Sequence, residues 1–113
     1  MGQVLYANAR DTAWLRPEGE WEADSGKPDS RYKLLAAGGD VPTVLIAEFE
    51  PGHYQEAHSH PTSEVLYILR GEVTIGDVTS GPGTMVFVEK DTHYGPLTAG
   101  PKGVKFLRVE IPA

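Results

Sequence analysis

The stretch Gly52-HYQEA-His58-S-His60-PTS-Glu64-VLYILR-Gly71 decides how the rest of the 113-residue chain is read. His58 and His60 are two positions apart, so an extended backbone puts both imidazoles on one face, about 6.5 Å apart along the strand. Each nitrogen donates to a metal at roughly 2.1 Å, so the two can share one ion. Pro61 bends the chain, and Glu64 opens the next strand with a parity that can face the same cavity. Of the four histidines, His93 follows the apolar run Thr84–Val88 and His53 lies beside Gly52. His58, His60, Glu64 and His93 together offer three neutral nitrogens and one carboxylate, a donor set suited to Fe(II), Mn(II), Ni(II) or Zn(II). A bare His-x-His pair is more often two surface imidazoles, so the surrounding sequence has to decide. The chain has no cysteine, which excludes disulfides, thiolate metal sites and cysteine nucleophiles.

Outward from this stretch the sequence alternates short apolar runs with turn residues. Thirteen glycines and nine prolines punctuate it. The runs predict strands over 32–36, 43–50, 55–60, 64–69, 72–75, 84–88, 93–97 and 104–111. Gly71 and Gly100-Pro101 are read as chain-reversing turns. Many short strands at such spacing predict an all-β sandwich or barrel, and no stretch carries a helical apolar period. Residues 1–30 read as an N-terminal arm and 31–113 as the barrel domain. In the arm, Val4-Leu5-Tyr6 is a candidate short strand, and Trp14 and Trp21 are expected to pack on the barrel or a neighbouring subunit. Between Glu64 and Arg70 both strand faces are largely apolar, which predicts a homodimer formed through a sheet face. Phe49, Tyr67, Met85 and Phe87 are expected in the core.

The spacing Gly52-x5-His58-x-His60-x3-Glu64-x6-Gly71 resembles the first motif of the cupin superfamily at every fixed position. That resemblance implies a cupin-type jelly-roll β-barrel with His58, His60 and Glu64 as metal ligands. The second cupin motif is imperfect. After Gly83, Thr84 stands for the usual Asp, Glu89 for Pro and Asp91 for Gly, and the gap before His93 is one residue short. Strict counting gives the histidine's place to Tyr94. His93 serves as the fourth ligand only if the turn Glu89–Thr92 differs by one residue, and that is the expectation. His93-Tyr94-Gly95-Pro96 and Gly103–Leu107 resemble the anti-sigma-factor-like cupins and the cupin dioxygenases.

The resemblance implies a metal-dependent enzyme acting on a small-molecule substrate, first an Fe(II) dioxygenase-type oxidoreductase. Zn(II), Mn(II) or Ni(II) at the same ligands points instead to a non-redox isomerase or cyclase. A non-catalytic cupin that binds a small ligand or a metal is the third expectation. Glu64 is a ligand or a general base. Tyr94, beside the expected ligand, and Arg108, which interrupts an apolar strand, are the other catalytic candidates. Sixteen acidic against ten basic residues give a formal charge of −6, and the basic residues are scattered. A nucleic-acid partner needs a basic face, so none is expected. Nor is a membrane partner, because no apolar window of about 18 residues exists. The N-terminus has no signal-peptide pattern, which makes the expected location cytoplasmic.

Overall fold

The computed structural model of the protein describes residues 2–16 and 30–112. Its strands are β1 (Ser30–Ala36), β2 (Thr43–Phe49), β3 (Tyr54–Gln55), β4 (Glu64–Ile75), β5 (Val78–Ser80), β6 (Met85–Val88) and β7 (Leu97–Glu110). All pairings between these strands are antiparallel. The sheet runs β1-β2-β7-β4-β5, with β3 added to β7 and β6 added to β4. This is the all-β architecture that the strand pattern predicts and the jelly-roll that the cupin resemblance implies. Among the described residues, no helix is long and apolar enough to cross a membrane.

Strand parity builds the core. On β4, Glu64, Leu66 and Ile68 alternate inward and are 1 %, 4 % and 1 % exposed. Leu66 and Ile68 pack with Ala47, Val73, Leu97, Ala99, Val104 and Phe106 in one apolar cluster. Phe49 packs against that cluster as expected. Tyr67, Met85 and Phe87 do not: all three lie exposed on the outer side, along with Leu69. Their own alternation explains the difference, since residues odd on β4 sit opposite odd residues of β6, as in Val65↔Phe87 and Tyr67↔Met85.

Two expected turns are strand interior instead. β4 continues through Gly71, and β7 continues through Gly100-Pro101. The β4–β7 register shifts between Gly71 and Val73, so the ladder bulges there and bends the chain without reversing it. Gly71 carries φ +76° and pairs with Val104, lying close against the carbonyl of Gly103, also at φ +76°. Pro101 lies on β7 between the registered partners Ala99 and Val104, where a missing N–H costs no ladder bond. Val78–Ser80, outside the expected strands, pairs with the end of β4.

A methyl group at Gly71 would run into the Gly103 carbonyl as well as strain the backbone. Gly71→Ala is therefore expected to destabilise the domain by about 2–5 kcal/mol, from overpacking plus left-handed strain. Urea unfolding of the variant beside wild type measures this; a loss under about 1 kcal/mol would show that the bulge relaxes freely.

The described part of the arm forms no strand at Val4-Leu5-Tyr6, and all three side chains are exposed. Asn8 caps a single 3-10 turn at Ala9–Asp11 by accepting from the Arg10 N–H. Leu15 then bridges Tyr32 on β1. Trp14 does meet the barrel, beneath the Arg31 guanidinium at 4.0 Å and the Lys33 ammonium at 4.9 Å. Trp21 lies outside the described residues.

Candidate functional site

The site begins with strand register. Glu64, at the start of β4, lies directly opposite Glu110 near the end of β7. Two carboxylates facing each other across a pair of strands repel. Arg108, two residues along β7 on the same face, reaches diagonally between them. Its Nε donates to Glu64 Oε2 at 2.7 Å, its Nη2 lies 2.6 Å from the same oxygen, and Nη2 also pairs with Glu110. The other carboxylate oxygen of Glu64 accepts from the Tyr94 hydroxyl at 2.7 Å. A carboxylate that is 1 % exposed is thus held at both oxygens.

The histidines arrive on a loop that hydrogen-bonds to the segment before β7. His58 N–H donates to Tyr94 O at 3.0 Å and Tyr94 N–H to His58 O at 2.9 Å, an isolated antiparallel bridge. Asp91 N–H donates to His60 O at 2.8 Å, and Lys90 N–H to Ser63 Oγ at 3.0 Å. Residues that exchange both bonds point to the same face. The rings of His58 and Tyr94 accordingly lie 4.9 Å apart, and those of His58 and His60 lie 4.7 Å apart, edge to face.

The same bridge decides His93. Adjacent residues of an extended segment point to opposite faces, so with Tyr94 turned toward His58, His93 is turned away and exposed. The anticipated one-residue contraction of the turn does not occur. Asp91 takes φ +59°, the left-handed conformation natural to the glycine that it replaces, and the register of the turn is kept. Strict counting was the correct signal: Tyr94 holds the place given to the fourth ligand.

The structure therefore brings together His58, His60, Glu64, Tyr94 and Arg108, and leaves His93 outside. Glu110 is the member that sequence reading missed, although its same-face spacing from Arg108 was a usable sign. His53 lies in the interior, 4 % exposed, stacked on Phe49 at 4.2 Å and 3.0 Å from the Gln55 amide.

Electrostatics follows from this packing. Burial lowers the His60 pKa below its usual value, outweighing the pull of Glu64. Burial and the hydrogen bond to Glu64 raise that of Tyr94, which stays a phenol at neutral pH. Two carboxylates against one guanidinium leave the cluster net negative, a field that favours a cation.

The donor chemistry fits a metal ion at the imidazole pair. His58 Nδ1 lies 2.7 Å from the Glu56 carbonyl. A donating Nδ1–H fixes the tautomer and leaves the Nε2 lone pair for a ligand, the orientation that metal-binding histidines use. Glu64 accepts three of the roughly four hydrogen bonds that a carboxylate can take. Neither a four-ligand cage nor a three-ligand set of His58, His60 and Glu64 is assembled here, because among the described residues no three His, Asp or Glu side chains converge to enclose an ion.

A family model described as "Cupin domain" matches residues 45–110. No curated protein matches the chain. Among solved structures, KdgF from Halomonas sp. is 16 % identical with a TM-score of 0.73, the match covering 98 % of this chain and 96 % of that one. The polyketide cyclase RemF from Streptomyces resistomycificus is 21 % identical at TM-score 0.72, covering 97 % and 79 %. Fe(II) HppE is 18 % identical at TM-score 0.73, covering 96 % and 60 %. At these identities the likeness establishes the fold.

Proposed function

The chain belongs to the cupin family, and from that premise we propose that it is a metal-dependent enzyme acting on a small organic molecule. The observation that carries this reading is the His58 ring, oriented through Nδ1 by the Glu56 carbonyl beside a partly buried His60. His58 and His60 hold the ion, and Glu64 is the carboxylate nearest to hand. A bound Fe(II) would supply redox chemistry with O₂, and HppE is similar in fold and holds that ion. Around it the protein's own groups keep fixed tasks. Tyr94 holds a proton at its hydroxyl, toward Glu64. Arg108 is a positioning residue, with Nε and Nη2 committed to carboxylates and so not directed at a substrate.

A non-redox isomerase or cyclase is the second reading. What favours it is the likeness in fold to the polyketide cyclase RemF, with Tyr94 held as a phenol beside the imidazoles. Elemental mass spectrometry of protein purified without chelator separates the two. About one iron per chain, lost in His60→Ala, is expected. Stoichiometric zinc would move the assignment to the non-redox reading. Failure to load Fe(II), Mn(II), Ni(II) or Zn(II) would overturn both.

We further propose that the working form is a homodimer. The outer face of β4 and β6 exposes Tyr67, Leu69, Met85 and Phe87, and the arm of the same chain exposes Val4, Leu5 and Tyr6. A second copy can supply the arm for one face while receiving it on the other, a reciprocal arrangement that closes with two-fold symmetry. Light scattering is expected to give twice the 12.3 kDa chain mass. Tyr67→Glu with Phe87→Glu is expected to give monomers, and a wild-type monomer at high micromolar concentration would remove the proposal.

A further inference from the structure

A second polar cavity lies at the far end of the sheet from the histidines. Glu110 marks the histidine end of β7 and pairs with Thr43 of β2, whereas Val104 pairs with Phe49, six residues further along β2. Six strand residues span about 20 Å. At the Phe49–Val104 end a cavity of about 100 Å³ is lined by Ser30, Arg16, Arg31, Arg70, Lys102, Glu48 and Glu50, among others. Four of the chain's ten Lys and Arg residues thus gather at one point of a protein with net charge −6.

Two features indicate that this gathering is built to receive something. The first is Ser30, which is 3 % exposed and whose hydroxyl has no hydrogen-bond partner among the described residues. A buried polar atom left unpaired costs free energy, and a ligand that accepts its hydrogen bond removes the cost. The second is the sharing of Glu48. Its carboxylate lies 3.2 Å from Arg31 Nη2 and 3.5 Å from Arg70 Nη2, so one acid holds two guanidinium groups together. Four cations against two carboxylates leave the cavity net positive, with guanidinium donors to spare. Planar guanidinium forks, an ammonium and a hydroxyl donor match the oxygens of a tetrahedral dianion better than those of a flat carboxylate.

We propose that this cavity is a phosphate-binding site, taking inorganic phosphate or the phosphate group of a small phosphomonoester, separate from the histidine site. The test is a titration of the whole chain with inorganic phosphate, and separately with glycerol phosphate, at constant ionic strength set with chloride. Amide shifts are followed by NMR. Saturable changes at Ser30, Arg31 and Gly103 are expected, with the apparent Kd raised at least tenfold in Arg70→Ala/Lys102→Ala. Ser30→Ala, which removes the unpaired hydroxyl and should fold as wild type, is expected to raise it several-fold. Tighter binding of glycerol phosphate would assign the site to a phosphomonoester, and equal or weaker binding to inorganic phosphate. Three results would overturn the proposal: no saturation at millimolar phosphate, shifts centred on His58 and Tyr94, or variants that bind as wild type does.

Discussion

Arg108→Met is expected to destabilise the domain by about 3–5 kcal/mol, the cost of leaving a buried charge without its partner. Glu64 is 1 % exposed, and Arg108 supplies two of its three hydrogen bonds while also holding Glu110, directly opposite. Removing the guanidinium strands two facing carboxylates, one of them out of water. For a domain of this size that loss corresponds to a fall in Tm of about 15–25 °C. The companion variant isolates the cause. Glu64→Gln/Arg108→Met retains an amide oxygen for the Tyr94 hydroxyl and carries one charge fewer, so it should recover at least about 1 kcal/mol over Arg108→Met alone. Chemical denaturation of wild type, Arg108→Met, Glu64→Gln and the double variant gives the coupling. An Arg108→Met protein within about 1 kcal/mol of wild type would mean that Glu64 finds another way to discharge, and the proposed role of the arginine would fall.

This network shows where sequence reading succeeds and where it stops. The fold was legible because period-2 burial writes itself into residue order: Glu64, Leu66 and Ile68 alternate with Val65, Tyr67 and Leu69, and the structure buries the first set. The closeness of the His58 and His60 rings was legible because it needs only local spacing, although the expected strand over 55–60 is observed only as Tyr54–Gln55 followed by a loop. Gly71 is ambiguous in sequence because a glycine with positive φ serves a turn and a bulge equally well. Only the partner strand, here Val104 opposite Gly71 with the Gly103 carbonyl close against it, settles which one forms. Glu110 escaped notice for a related reason. Its meaning lies in being opposite Glu64, forty-six positions away, and no local pattern encodes that register. His93 was a different kind of error. The chemistry of the residue was preferred over its count, although alternation along an extended chain makes the count the stronger constraint.

The last prediction turns that error into a measurement. His58→Ala is expected to weaken divalent-metal binding by more than about 100-fold, since loss of an outer-shell partner alone typically costs 10–100-fold. His93→Ala is expected to bind as wild type does, because its imidazole is exposed and turned away from the pair. Tyr94→His supplies the informative gain. The bridge to His58 places residue 94 on the same face as the imidazole pair, with rings 4.9 and 6.1 Å from those of His58 and His60. A histidine there adds a third nitrogen where a protonated phenol now stands, and should tighten Zn(II) or Ni(II) binding about tenfold or more. Competition against a chromogenic chelator ranks the four proteins directly. Loss of binding in His93→Ala with no gain in Tyr94→His would require the turn at Glu89–Thr92 to rearrange on metallation, and would restore His93 as the fourth ligand. The expected order instead makes Tyr94 the residue by which this barrel departs from a three-histidine centre, exchanging a metal ligand for a proton donor bonded to Glu64.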